Sequence, residues 1–394
     1  MNRKNLKICI VMRENYPFGM ACTNRIHLYA RGLIKEGYKV KIIIPTPLEQ
    51  PEQIWNYDQQ GIFEGVPFEY SWPTPVRSRS FWGRRLHDVI APFRAGMKLY
   101  KEKPDIVLII VGNKTFLLVL YWIITKLSGG KYVQEKSELP FFRSASLNYW
   151  QRFQVRLVYS LFDGVVAISD VLMKYFSFFL HRKNLLKVPV IVDVGSIYDP
   201  TVTREKSIVY TGPLTQHKDG ILTIIESFAN IADEFPGYTL EMTGNLSTSP
   251  VKKEIEELME KYQLWPRVRF WGIVDRENLL KILNRASVLV LAKPFNRQAS
   301  ACFPTKLGEY LATGNPVLVT RAGEISQYLE DGVTAFLAEP TVNAFTERLR
   351  DILSNLDGAK VVGRSGKALA KEKFDVVSHT FRLGAFFESL CTDK

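Results

Sequence analysis

Cysteine and histidine are scarce in this chain. Four cysteines (Cys9, Cys22, Cys302 and Cys391) stand among 394 residues, with no C-x-x-C spacing. That excludes a disulfide framework or a zinc knuckle and leaves small buried apolar side chains as the expectation. The five histidines (His27, His87, His181, His217 and His379) never fall at H-x-x-H or H-E-x-x-H spacing, so a zinc site is not expected. No D-x-D occurs, and no G-x-G-x-x-G follows a leading strand, which argues against a dinucleotide cofactor. Long apolar runs are also missing. The N-terminal run, Ile8–Met12, is shorter than a signal-peptide core of roughly 7–15 residues. Thr115–Thr125, bracketed by Lys114 and Lys126, falls short of the ~20 residues that span a bilayer. A soluble, cytoplasmic protein is expected.

The composition itself is ordinary, with 46% hydrophobic and 23% charged residues, as in globular proteins. Length suggests two or three domains. The formal charge of +12 is unevenly spread. Residues 1–200 hold 28 Lys+Arg against 16 Asp+Glu, while residues 201–394 hold 24 of each. The whole excess belongs to the first half.

Apolar runs at strand length alternate with helical periodicity along most of the chain. LKICIVM (6–12) reads as a strand covered on both faces, and Ile26, Tyr29, Ala30, Leu33 and Ile34 recur at helical spacing before Gly37. YKVKIII (38–44) closes a β-α-β unit. DIVLIIV (105–111), a helix over 115–127, KYVQE (131–135), a helix over 147–162, GVVAIS (164–169), a helix near 170–180 and LLKVPVIVD (185–193) follow. Residues 195–206 lack periodicity and read as a linker. A second series then begins: SIVYTG (207–212), helix 219–234, YTLEMTG (238–244), helix 250–263, VRFWG (268–272), helix 275–285, SVLVLA (287–292), helix 304–313, PVLVT (316–320) and helix 322–330. The fold class expected is α/β, with two Rossmann-like domains and a ligand cleft between them at the carboxyl ends of the strands. The domains are expected at 1–195 and 196–375, with 376–394 forming a helix that returns to the first.

Two stretches carry anion-binding chemistry. In FPTKLGEYLATGNPVLVT (303–320), Pro304 suits a helix start, and backbone N–H groups near Thr305 and Lys306 would favour a phosphate, with Lys306 adding charge. Glu309, one turn along, is an acceptor for vicinal ribose hydroxyls; the alternative is a merely solvated carboxylate. In GPLTQHKDG (212–220), Gly212 lets backbone approach a ligand, and Lys218 precedes a helix start capped by Asp219 or a neighbour. A lysine there opposes the helix dipole unless an anion offsets it; the alternative is an exposed loop lysine. His217 touches phosphate or is an exposed loop residue.

Near its full length, and most specifically over 303–320, the chain resembles the retaining nucleotide-sugar glycosyltransferases of family 4, which have the GT-B architecture. The matching pieces are Gly19 in the first loop, GPLTQHKDG with Lys218, VRFWGIVDRENL (268–279), KLGEYLATGNPV (306–317) and FDVVSHTFRLGAFFESL (374–390). The resemblance implies transfer of a sugar from a nucleotide diphosphate with retention. It implies donor contacts from the second domain, acceptor contacts from the first, and no cofactor or essential metal, in keeping with the missing D-x-D. Donor contacts then fall on Gly212, Pro213, His217, Lys218, Gly272, Val274, Pro304, Thr305, Lys306 and Glu309. Lys218, Glu138 and Gly19 are the candidate catalytic positions, Gly19 by allowing close approach to sugar and diphosphate.

Three positions depart from the family pattern. Pro213 stands where an Arg is usual, with Lys306 the candidate substitute cation. Ala301 stands where the first of two glutamates is usual. No histidine follows strand 131–135, where EKSELP (135–140) offers Ser137 and Glu138; Glu138 orients an acceptor hydroxyl or is an ordinary loop carboxylate.

The stretch RSRSFWGRRLHDVIAPFRAGMKLYKEK (77–103) concentrates positive charge among aromatics. Arg77, Arg79, Trp82, Arg84 and Arg85 would suit an anionic membrane surface, placing the protein peripherally on its inner face, if the helix does not instead pack on its domain. A glycan or lipid-linked acceptor follows, as in assembly of lipopolysaccharide and other surface polysaccharides. Nucleic acid is not an expected partner, because no recognised module is present. Two rivals remain on the same fold: a catalytically weak glycan-binding protein and a nucleotide-sugar epimerase.

Overall fold

The computed structural model describes residues 5–112, 114–138, 149–296 and 303–392. Its chain divides into two compact units, the first comprising residues 1–191 with 376–394, the second residues 192–375.

The first unit runs β1 (Lys7–Met12), α1 (Ala21–Lys35), β2 (Lys39–Ile44), β3 (Gln60–Phe63), β4 (Val66–Tyr70), α2 (Phe81–Glu102), β5 (Ile106–Ile110), α3 (Thr115–Leu127), β6 (Lys131–Lys136), α4 (Tyr149–Tyr159), β7 (Gly164–Ala167), α5 (Asp170–Phe176) and β8 (Leu185–Lys187). Its sheet has the order β3-β4-β2-β1-β5-β6-β7-β8. Every pairing is parallel except the β3–β4 hairpin. β1 sits centrally, with Ile10 opposite Ile42 on one side and Leu108 on the other. That position explains its unbroken apolar run, since both faces are covered. The hairpin is an addition to the expected β-α-β pattern. Its two-residue loop, Glu64–Gly65, has positive φ at both positions, as a twist-matched tight turn requires.

The second unit runs α6 (Val194–Ile197), β9 (Ser207–Tyr210), α7 (Gln216–Asp219), α8 (Ile221–Ala229), β10 (Thr239–Met242), α9 (Lys252–Lys261), β11 (Val268–Phe270), α10 (Arg276–Arg285), β12 (Val288–Leu291), α11 (Thr305–Thr313), β13 (Val317–Thr320), α12 (Ile325–Tyr328), β14 (Phe336–Ala338), α13 (Val342–Ser354) and α14 (Leu356–Lys373). Its six strands are all parallel, in the order β11-β10-β9-β12-β13-β14. The stretch expected to be a linker from 195 therefore begins with a helical turn, and the unit boundary falls a few residues earlier. Several helices are shorter than expected. The helix expected over 219–234 is α8 alone, preceded by the single-turn α7. Gly220 between them has φ +68, and a side chain there would lie 1.7 Å from the Ala292 carbonyl oxygen, so both the backbone conformation and the space require glycine.

The last helix, α15 (Val376–Thr392), belongs to the first unit. Gly32 of α1 leaves room for Thr380, and Gly384 for the ring of Tyr38, whose hydroxyl donates to Glu388 at 2.9 Å. Leu383, Phe386, Phe387 and Leu390 join the core built on β1 and β2.

Candidate functional site

The second unit's leading strand ends in a glycine turn built around a buried ion pair. Thr211 N–H donates to the Tyr310 hydroxyl (2.7 Å) and Gly212 N–H to Thr243 Oγ1 (2.9 Å), so the turn is tied to α11 and to β10. Gly212 adopts φ +125, and a Cβ there would stand 2.6 Å from Lys306 Nζ. Lys306 therefore lies directly against the turn. Its ammonium donates to Asp219 Oδ1 and to the Tyr210 hydroxyl, both at 2.9 Å, and the Tyr210 hydroxyl donates to the Pro213 carbonyl at 2.7 Å.

This arrangement corrects two expectations. Lys306 is not an open cation at a helix start: only 16% of its side chain is exposed, and a charge so desolvated needs a counter-ion, which Asp219 supplies. Asp219 in turn caps no helix; of its neighbours, Gln216 serves the start of α8, its Oε1 accepting from Leu222 N–H at 2.9 Å. Burial pushes its carboxyl up, but Lys306, Lys293 and Lys218 outweigh that and hold it below the usual carboxylate range. Burial likewise lowers the Lys306 ammonium, with Asp219 pulling against it. Lys218 lies in the last turn of the one-turn helix α7, two residues before the Gly220 that begins α8. It and His217 are exposed.

Around this centre the structure gathers most of the expected donor residues of the second unit. Pro304 is the N-cap of α11 rather than its first residue, and the helix start at Thr305 has no side-chain cap. Glu309 is half-buried and accepts from Arg276 Nη1 at 2.6 Å, so its carboxylate is held by an arginine from the start of α10. Gly272 adopts φ +69 in open space, and its carbonyl receives Gly244 N–H at 2.7 Å, with Val274 half-buried beyond it. Ala301 lies outside the described residues.

Lys293 is a member of this cluster that sequence reasoning missed. It follows β12, is almost fully buried, and donates to the Lys218 carbonyl at 3.2 Å. With Lys218 and Lys306 it makes three lysines acting on Asp219. Its position two residues past a buried strand end is the available signal, because that is where an α/β sheet presents ligand groups.

In the first unit, the expected residues have separate local roles. Gly19 is explained by its own surroundings: a Cβ would fall 2.2 Å from Thr23 Oγ1 and 2.6 Å from the Asn15 carbonyl. Its lack of a side chain is required by the start of α1, so close approach to a sugar is not needed to explain it. Glu138 is half-buried just past β6. Beside it, Glu135 pairs with Arg25 at 3.0 Å, with Ser137 donating to the same carboxylate oxygen at 2.7 Å. Lys136, a second residue that the sequence reading passes over, ends β6; burial pulls its ammonium down to about 8, against Glu135 and Glu138.

The basic stretch forms α2 as expected, but its packing is selective. Ala91, Pro92, Ala95, Gly96 and Leu99 are buried. A Cβ at Gly96 would meet Ile124 Cδ1 at 2.3 Å, so the small residues seat α2 against α3. Most of the bulky ones, Leu99 apart, stay outside: Trp82 is 79% exposed, Val89 60% and Phe81 53%, with Leu86, Phe93 and Met97 also exposed. Arg85 stacks on the Phe81 ring at 5.1 Å. Among the described residues no helix is long and apolar enough to cross a membrane.

Residues 205–355 match the family model Glycosyl transferases group 1, which covers most of the second unit. Of solved structures, a sucrose-phosphate synthase from Thermosynechococcus elongatus aligns with TM-score 0.76 at 16% identity, covering 99% of this chain and 100% of that one. HepE from Anabaena, in complex with UDP-glucose, aligns with TM-score 0.70 at 14% identity, covering 98% and 100%. The gpi3 subunit of the phosphatidylinositol N-acetylglucosaminyltransferase of Schizosaccharomyces pombe is 20% identical over 178 residues, 45% of this chain and 37% of that protein. The chain spans about a third of the length of the curated relatives it matches. The fold is that of GT-B glycosyltransferases.

Proposed function

We propose that this chain is a retaining, metal-independent glycosyltransferase of family 4 that moves a hexose-type sugar from a nucleotide diphosphate to a lipid-linked or surface-polysaccharide acceptor. The observation that carries the proposal is the Gly212–Asp219 turn with its three lysines, one turn of α11 away from Glu309, within the segment matched to Glycosyl transferases group 1. In this reading the diphosphate lies on the exposed ammonium of Lys218 and the uncapped start of α11. Glu309 exchanges Arg276 for the ribose hydroxyls. Lys306, neutralised by Asp219, props the glycine turn and contributes shape more than charge.

The chemistry needs no protein nucleophile. The bond between the anomeric carbon and the β-phosphate oxygen breaks, and the acceptor hydroxyl oxygen bonds to the same face of that carbon. Its proton passes to the departing phosphate oxygen. Lysine charge placed beforehand at that phosphate supplies electrostatic stabilisation, which is commonly the largest contribution to such a rate. HepE, crystallised with UDP-glucose, makes UDP sugars the first donors to test.

A panel of nucleotide diphosphates in a thermal-shift assay tests the donor site. A nucleotide at 100 times its Kd should stabilise the folded chain by about 2.7 kcal/mol. Glu309→Ala should weaken that binding at least ten-fold while leaving acceptor affinity unchanged. A chain that binds no nucleotide diphosphate, or binds one without transferring its sugar, would favour the glycan-binding alternative that Pro213 raises.

For the acceptor, the exposed apolar residues of α2 interleaved with arginines support docking on an anionic membrane surface. The chain should co-sediment with anionic but not neutral vesicles, and the double variant Arg84→Glu/Arg85→Glu should abolish this. Equal binding to both vesicle types would refute the membrane reading.

A further inference from the structure

At the foot of α2 the first unit has a cavity of about 340 Å³ whose lining includes Arg77, Arg79 and Arg84. Ser78, Gln50 and Glu52 complete its polar wall. Two chain segments form it. Residues 49 and 76 pair as a parallel bridge, and Arg77 N–H donates to the Glu49 carbonyl at 2.9 Å, which fixes the backbone beneath Arg77. Across from it, Arg84 Nη1 donates to the carbonyl of Arg79 at 2.8 Å, which orients that guanidinium back toward the turn. The turn itself is tight: a Cβ at Gly83 would fall 2.3 Å from Ser78 Oγ.

The charges in this cavity are unbalanced. Among the described residues no carboxylate pairs with Arg77, Arg79 or Arg84, although Glu52 shares the lining. Three arginines against one glutamate leave a net charge of +2. A phosphate monoester carries about −1.5 to −2 at neutral pH and offers three acceptor oxygens, which the fork geometry of guanidinium groups matches. The adjoining 22-residue helix α2 starts without a side-chain cap and without an acidic residue in its first turn, so its dipole also favours an anion there. Phe81 and Trp82, both exposed, follow in that first turn.

From these features we infer that the cavity takes the phosphate monoester of a lipid headgroup, with Phe81 and Trp82 entering the bilayer beside it. The inference rests on the membrane reading of α2 and adds selectivity to it: the surface distinguishes a terminal phosphate from other anionic headgroups.

Sedimentation with neutral phosphatidylcholine vesicles carrying either phosphatidic acid or phosphatidylserine, matched for surface charge, tests this. Phosphatidic acid vesicles should bind at least ten-fold more tightly. Arg77→Gln/Arg79→Gln should erase that preference. Arg94→Gln/Lys101→Gln, which removes the same charge from α2 outside the cavity, should weaken both vesicle types alike and keep the preference. Equal binding of the two lipids by the wild-type chain would overturn the cavity assignment while leaving the membrane reading intact; binding to neither would overturn both. Titration with inorganic phosphate separates the source. Arg77-dependent binding of free phosphate without a phosphatidic acid preference would overturn the lipid headgroup as occupant. Unchanged melting curves for both double variants establish that the differences are not unfolding.

Discussion

Lys218→Ala should lower kcat for sugar transfer by roughly 10²–10³, equivalent to about 2.7–4 kcal/mol of transition-state stabilisation, with a much smaller change in acceptor KM. The expectation follows from how positive charge is distributed around the turn. Lys306 is committed to Asp219, and Lys293 is buried against the Lys218 carbonyl. Lys218 alone of the three carries its ammonium on an exposed residue. Pro213 leaves the turn without the arginine usual in the resembling family, so the remaining exposed cation has more of the departing diphosphate to stabilise. Lys218→Arg, which keeps charge but changes reach, should recover part of the rate. Steady-state kinetics with a saturating acceptor measures both. Loss confined to donor KM, with kcat intact, would move Lys218 from transition-state stabilisation to ground-state binding.

Asp219→Ala should destabilise the second unit by about 3–5 kcal/mol, the cost of leaving a buried charge without its partner. Lys306 would be stranded against Gly212, with only the Tyr210 hydroxyl left of its two hydrogen bonds. Replacing both partners, Asp219→Leu with Lys306→Met, should recover most of that loss, because an apolar pair needs no counter-ion. Urea denaturation of the three proteins measures this. The acid limb gives a second reading. The Asp219 carboxyl is depressed in the folded state relative to an unfolded value near 3.9. Its contribution is therefore complete above about pH 3.9 and is lost as pH falls through the folded value. The double variant should lack that part of the acid destabilisation.

Much of the architecture is legible in the amino-acid order because buried parallel strands must be apolar on both faces. β1, β5, β9 and β12 announce themselves as short continuous runs, and α3 coincides with the expected 115–127. Where legibility fails, the cause is length or distance. α7 is a single turn, too short for any periodicity, so the order of residues alone places Lys218 before a helix start, that of α8, without showing that it also sits in a helical turn of its own. The β3–β4 hairpin has an edge strand whose exposed residues weaken the apolar signal, although its Glu64–Gly65 turn is a recognisable cue. The ion pair of Lys306 and Asp219 joins residues 87 positions apart. Local pattern cannot say that a lysine at a helix start is a buried prop instead of an open cation. Conversely, Glu309, the glycine turn and the basic helix are visible early because each depends on residue types within one short segment.

The placement of α15 has a consequence for the order in which the protein matures. The strands of the first unit leave the ribosome before those of the second, yet their core lacks Leu383, Phe386, Phe387 and Leu390 until α15 has been made. The second unit, residues 192–375, is contiguous and is available in full before α15 emerges. During synthesis the half that begins first is thus the half that finishes last. Its apolar faces, together with the exposed side chains of α2, remain open to chaperones or to a membrane for the time needed to translate the entire intervening unit.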